Sequence, residues 1–382
     1  MLTPGPVAIP EQAREVLGRP IMHHRTEAFA EVFARVAEGL KWVFQTQNTV
    51  LTLTSSGTGA FEAAMLNFTR RGQKMISIGG GKFGERWGDM GKALGLEVIT
   101  MPVEWGRCAS PEVLATLLEE HPDTAFVSVS HSETSTGVLH PLKELLDVVR
   151  ASNADALFAV DGITSVGVHP VPMDEWGIDI LVSGSQKAFA VPPGVSFLAA
   201  NERAWARAKE SDHYKYYFDL LREKKKQEGS GQTAFTPAIS VILALDVVLQ
   251  MMREEGLESI WARHEQHSRA MIAAWEAMGG AGFAEVPTHC VSAVRMPEGV
   301  DAVKLRALLR DKYGVLVAGA YNEFKPHVLR VGHLGQVHSG EVMAGLAAIE
   351  AALLESGARF KQGAGLSAAQ IVYTGAMNTE KK

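Results

Sequence analysis

Cysteine is scarce: there are two in 382 residues, Cys108 and Cys290, far apart and without Cys-x-x-Cys spacing. That argues against a disulfide scaffold or a zinc site and fits a reducing compartment, with the cytoplasm as the expected one. Positive charge is short as well. The formal net charge is −6, which leaves no electrostatic footprint for nucleic acid. The one short basic run, Arg222-Glu-Lys-Lys-Lys-Gln227, reads as a solvated helix face. No window approaches the roughly eighteen uncharged apolar residues of a membrane span. The opening Met1-Leu-Thr-Pro-Gly-Pro-Val-Ala-Ile-Pro10 has neither a basic head nor a long apolar run, so an extended Pro/Gly arm is expected rather than a signal peptide. His23 and His24 are adjacent and point to different faces, so they form no ligand pair, and no metal site is expected. Internal repeats and low-complexity blocks are absent.

What is present is a large apolar fraction, 46%, with 21% charged residues, a balance that suits a soluble globular enzyme with a sizeable core. Short apolar runs alternate with helical patterns: Val50–Thr54, Met75–Ile78, Val98–Met101, Ala125–Ser130, Ala156–Val160, Ile180–Val182 and Val195–Ala199 read as seven strands. Such alternation predicts an α/β fold with a mostly parallel sheet covered on both faces. The last two strands are joined by a loop too short for a crossover helix, so the final strand is expected to run antiparallel. The chain divides into an arm (1–18), a large domain (19–255), a small C-terminal α/β domain (256–363) and a tail (364–382) with no assigned role. Ligands in such sheets bind outside the carboxyl ends of the strands.

Several chemistry-bearing residues fall at those ends. Lys187 follows the buried run Ile180–Val182 on a short turn stiffened by Pro192, Pro193 and Gly194. A lysine held there is either a desolvated nucleophile or a structural cap. Ser55, Ser56 and Gly57-Thr-Gly-Ala60 separate the first strand from a helix, and free N–H groups at a helix start suit a phosphate. An ordinary tight turn fits equally well, and the spacing is neither a dinucleotide fingerprint nor a P-loop. Asp161 closes an apolar strand, where a carboxylate needs a partner; a helix cap or turn acid is the alternative. Phe83, on another strand-end loop, is a stacking platform or a core plug. Thr134 meets a phenolic oxygen or caps a turn. Arg330, inside Val328-Leu-Arg-Val-Gly332, snorkels outward or binds a carboxylate bidentately. Each feature is ambiguous alone. Together, a phosphate cup, a ring platform, a hydroxyl, a carboxylate and a lysine on one sheet edge point to pyridoxal 5′-phosphate.

At these residues the sequence resembles the class V aminotransferases of fold type I, in the alanine–glyoxylate/serine–pyruvate group. Matching stretches are Trp42-Val-Phe-Gln-Thr-Gln-Asn48, Ser56-Gly-Thr-Gly-Ala-Phe-Glu-Ala63, Glu133-Thr-Ser-Thr-Gly-Val-Leu139, Ser183-Gly-Ser-Gln-Lys187 with Pro192-Pro-Gly194, and Val328-Leu-Arg-Val-Gly332. The resemblance runs from Thr3-Pro-Gly-Pro6 to the final long helix. It implies that Lys187 bonds the cofactor aldehyde and that Asp161 pairs with its pyridinium. Thr134 and Gln186 would lie near the phenolic oxygen, Thr58, Gly59 and Ala60 at the phosphate, and Arg330 at the substrate carboxylate. A homodimer is implied, with Thr233 and Thr236 of Gln232-Thr-Ala-Phe-Thr-Pro237 completing the partner's phosphate site. Three departures stand out: Ala60 where a histidine is common, Phe83 where a tryptophan is common, and Thr233 where a tyrosine is common. The implied activity is ping-pong transfer of an amino group from a small amino acid, alanine or serine, to a small 2-oxo acid, glyoxylate or pyruvate. The alternatives are a lyase or cysteine desulfurase on the same fold, which needs a reactive cysteine, and a non-catalytic cofactor-binding subunit.

Overall fold

The computed structural model describes residues 1–152 and 155–375. In chain order, helices α1 (Glu11–Leu17) and α2 (Glu27–Phe44) lead into β1 (Val50–Leu53), α3 (Gly57–Phe68), β2 (Lys74–Ile78), α4 (Lys82–Ala93), β3 (Glu97–Met101), α5 (Pro111–Glu120) and β4 (Thr124–Ser130). A two-residue ladder, β5 (Ser132–Glu133) with β6 (Val138–Leu139), precedes α6 (Leu142–Ala151), β7 (Leu157–Asp161), α7 (Met173–Trp176), β8 (Ile180–Gly184), β9 (Ser196–Ala200), α8 (Glu202–Ala208) and α9 (Leu220–Ser230). The main sheet has the order β1-β9-β8-β7-β4-β2-β3. β9 is antiparallel to both of its neighbours, as its short connection to β8 requires, and the other pairings are parallel.

These strands read as continuous apolar runs because each face of the sheet meets a different core. Along β7, Phe158 and Val160 join the core under α2 and α10 (Ile239–Glu255), while Leu157 and Ala159 join the core under α3. The same period of two repeats in β8, with Leu181 on one side and Ile180 and Val182 on the other.

The small domain starts with α11 (Leu257–Ala277). Around a four-stranded antiparallel sheet of order β10 (Ala281–Gly282), β11 (Val291–Arg295), β13 (Val328–Gly332), β12 (Ala318–Gly319) it sets α12 (Ala302–Asp311) and α13 (Ser339–Glu355). β12 is only two residues long. Residues 364–374, left without a role by the sequence, form α14 (Ala364–Thr374). Its Ala369 enters the core shared with Met271, Trp275 and Leu353, and the Tyr373 hydroxyl meets His267 Nδ1 at 2.9 Å. The buried Glu350 carboxylate accepts from the N–H groups of Gly363, Gly365 and Leu366, which caps the start of α14. The rest of the tail, 376–382, lies outside the described residues. The N-terminal arm is also docked: Leu2 is buried in the small-domain core, donates to Leu316 O and accepts from Gly332 N, both at 2.8 Å.

Candidate active site

A cleft opens at the carboxyl ends of β4, β7 and β8. It is lined by Ser56, Gly57, Thr58, Phe83, Arg86, Ser132, Thr134, Asp161, Ile163, Thr164, Gln186 and Lys187. Sequence-distant residues meet here because parallel strands end together and each releases its loop on the same edge.

Lys187 follows β8, and its amine donates to Pro4 O at 2.6 Å. Burial pulls this amine down to about 8, against the raising field of Asp161. Asp161, the last residue of β7, accepts from Ser130 Oγ and from Ile163 N, both at 2.9 Å. Burial of its side chain pushes the carboxyl up to about 6 despite those donors. A carboxylate offers about four lone-pair sites, so two donors leave room for a third on its cleft side. Gln186 Oε1 is buried with no partner among the described residues, an acceptor that a bound molecule could satisfy.

Arg330 is 6% exposed in the middle of β13 and points inward, not to solvent. Its Nε donates to Gly319 O and its Nη1 to Thr134 O, both at 2.8 Å, and the guanidinium stacks 4.8 Å from the Tyr321 ring. Thr134 therefore touches both the cleft and Arg330.

The residues expected at the phosphate divide between the cleft and the body of α3. Ser56, Gly57 and Thr58 face the cleft, whereas Gly59 and Ala60 do not line it. Ala60 N already donates to Ser56 O, and its side chain is buried under the sheet beside Phe61. A Cβ on Gly59 would meet Ser55 and Phe218 instead of the cleft. The free N–H groups of the first turn of α3 are thus those of Gly57 to Gly59. Thr233 and Thr236 do not line this cleft either; they border a separate hollow with Thr54, Tyr217 and Phe235.

Two residues that the sequence did not single out hold Phe83 in place. Phe83 lies in the first turn of α4, not on a loop. The buried carboxylate of Glu133 accepts from Phe83 N and Gly84 N through Oε2, both at 2.9 Å, and from Ser135 N and Oγ through Oε1. Arg86, one turn on, sits 4.9 Å over the Phe83 ring and donates from Nη1 to Thr58 Oγ1 at 3.1 Å. An N-cap role for Glu133 has no local signal, because its partners lie 50 residues earlier. Arg86, at i+3 from Phe83 in a helix pattern, is within reach of periodicity.

The cysteines offer no nucleophile. Cys290 is buried, donates to Thr164 O, and is pushed by burial up to about 11. Cys108 is half-buried and its thiol is also raised by burial. Thiolate is scarce at neutral pH in both settings.

Residues 10–320 match the family described as Aminotransferase class-V. The chain belongs to the class V aminotransferases. The 42 kDa subunit of a soluble hydrogenase from Anabaena cylindrica is 38% identical over 98% of each chain. Serine–glyoxylate aminotransferase of Methylorubrum extorquens is 31% identical, covering 97% of this chain and 94% of its own. Ureidoglycine–glyoxylate aminotransferase of Bacillus subtilis superposes with a TM-score of 0.92 at 29% identity, covering 98% and 97% of the two chains. This class V chain is therefore a fold type I aminotransferase that depends on pyridoxal phosphate, and its cleft fits that cofactor. The unpartnered Gln186 Oε1, the spare acceptor sites of Asp161 and the amine of Lys187 are the groups a phosphorylated pyridine aldehyde would engage.

No helix among the described residues is long and apolar enough to cross a membrane.

Proposed function

We propose that the chain transfers an amino group from a small amino acid, alanine or serine, to a small 2-oxo acid, glyoxylate or pyruvate, in two half-reactions on one site. The observation that carries this reading is that Lys187 and Asp161 line one cleft, and that the carbonyl of Thr134, also in its lining, accepts from Arg330, which is turned inward and anchored by two carbonyls. When bound, the cofactor supplies an electron sink for the carbanion formed at the amino acid's α-carbon.

The protein's own part is positioning and proton transfer. Arg330 presents its fork at a fixed angle, which suits a carboxylate. A single carboxylate-reading arginine suits an amino acid with one carboxylate. The Lys187 amine, lowered to about 8, is partly neutral near neutral pH, so it can take a proton from the α-carbon and return it to the other end of the transfer. Asp161, as an anion, holds a protonated ring nitrogen in place. Glyoxylate is named as a substrate for both the M. extorquens relative and the B. subtilis neighbour, which supports it as acceptor. The hydrogenase name of the A. cylindrica relative finds no echo in this site, since two separated cysteines cannot build a cysteine-rich cluster, and no group of three or more metal-ligating side chains occurs among the described residues.

We further propose a homodimer in which Thr233 and Thr236 reach the partner's phosphate, because neither serves the cleft of its own chain. The cysteine-poor composition supports a cytoplasmic setting.

The test is an absorbance spectrum of the purified protein with pyridoxal phosphate, before and after a panel of amino acids. Loss of the visible band with alanine or serine, and its return with glyoxylate or pyruvate, is expected. A band that forms but survives every amino acid would overturn the transamination reading while leaving the cofactor in place.

A further inference from the structure

Among the described residues that line the cleft, Arg86 is the one strongly charged group that the reaction above does not use. It stands on α4, one turn beyond Phe83, and reaches back to the start of α3, where Nη1 donates to Thr58 Oγ1 at 3.1 Å. Its guanidinium lies 4.9 Å from the Phe83 ring. One cation thus links the ring platform to the helix start where a phosphate would rest.

Charge balance makes that position informative. The first turn of α3 carries no acidic residue, and its free N–H groups supply only partial positive charge. A phosphate monoester carries close to two negative charges at neutral pH. The cations lining the cleft are Lys187 and Arg86. Lys187 is committed to the aldehyde, so Arg86 is left for the phosphate. Its planar fork has five N–H groups, one of them directed to Thr58. The Arg86 charge also reaches the cleft interior, where it lowers the Lys187 amine.

We propose that Arg86 binds the cofactor phosphate, steered by Thr58, and supplies the charge that the helix start lacks. The proposal rests on the cofactor assignment above and concerns this chain's own share of the phosphate site. A surface arginine that merely braces Phe83 would look similar, but it would act on the ring and not on the phosphate.

The experiment compares the cofactor-free wild-type protein with Arg86→Gln and Arg86→Lys. Each is titrated with pyridoxal phosphate and with pyridoxal, which lacks the phosphate, and the visible band is followed. Inorganic phosphate is then tested as a competitor of pyridoxal phosphate. Arg86→Gln should weaken pyridoxal phosphate binding about tenfold or more, the scale of one lost charge-assisted contact, and leave pyridoxal binding within about twofold. Inorganic phosphate should compete in the wild type and lose most of that effect in Arg86→Gln, with Arg86→Lys in between. Equal weakening of both aldehydes, or no weakening of either, overturns the proposal. Failure of the wild-type protein to bind either aldehyde would instead overturn the cofactor assignment.

Discussion

Asp161 shows how one residue trades stability for chemistry. A carboxyl at about 6 in the folded, cofactor-free chain, against about 3.9 when unfolded, binds its proton more tightly in the fold. Stability from this group is therefore whole below pH 4 and lost as pH rises through 6. The cost of the buried anion approaches about 3 kcal/mol at neutral pH. Asp161→Asn keeps the shape, and the Ser130 hydroxyl can rotate to accept from the new amide. Cofactor-free Asp161→Asn should therefore be more stable than the wild type by up to about 3 kcal/mol at pH 7.5 and equal near pH 4, measured by urea denaturation at both. Transamination should fall about a hundredfold or more, since an amide cannot balance a pyridinium. An equal gain at both pH values would mean that the cost is packing, not charge. At this scale the sequence is informative: Lys187 and Asp161 each follow or end a buried strand, and a charge in that position needs a partner or a ligand to offset its burial. The Gly-x-Gly motif marks the turn at the start of α3 without saying which of its residues face the cleft: Gly57 and Thr58 do, with Ser56, and Gly59 does not.

Among the elements, α4 is the one whose start decides the site, and its start depends on Glu133. The buried carboxylate ties Phe83 N, Gly84 N and Ser135 together, and a Cβ on Gly81 would lie 2.4 Å from its Cδ. Glu133→Ala leaves those donors unmet in a dry site. The expected loss is about 3 kcal/mol or more in urea denaturation, the sum of a lost cap and of buried unsatisfied donors. Glu133→Gln retains one acceptor oxygen and should lose less than half as much. Both should weaken pyridoxal and pyridoxal phosphate binding alike, because the platform moves as a whole. If Glu133→Ala matched the wild type in both assays, the capping account would be wrong. The strands themselves are legible from their apolar runs and from the period of two that splits them between cores. The role of Glu133 is not, because a cap formed by a later hairpin leaves no pattern near the helix it caps, and for the same reason the stretch around Phe83 reads as a loop.

Across the whole molecule, the two ends of the described chain are tied to the small domain, and neither tie is visible in composition. α14 depends on the buried Glu350 carboxylate and on a small residue, Ala369, against α11. The N-terminal arm lies nearer the cleft, because it runs from the small-domain core at Leu2 to Lys187 at Pro4. Gly332 makes the passage possible, since a Cβ there would lie 2.1 Å from Thr3 O. Gly5 has φ +114, and a Cβ on it would lie 2.5 Å from Lys187 Cδ and 2.6 Å from Nζ. Gly5→Ala must therefore push the arm or the lysine aside and strain the backbone as well, at a cost of about 1–3 kcal/mol. The arm is held at Leu2 by two backbone hydrogen bonds, so the lysine is the freer partner and should yield. The rate at which added pyridoxal phosphate develops its visible band should then fall about tenfold or more, followed by stopped-flow absorbance. Thr3→Ala, which removes only an exposed bond to Pro6 O, should load at the wild-type rate. Wild-type loading by Gly5→Ala would show that the arm passes the lysine without confining it, and the small domain would then act on the site through Arg330 alone.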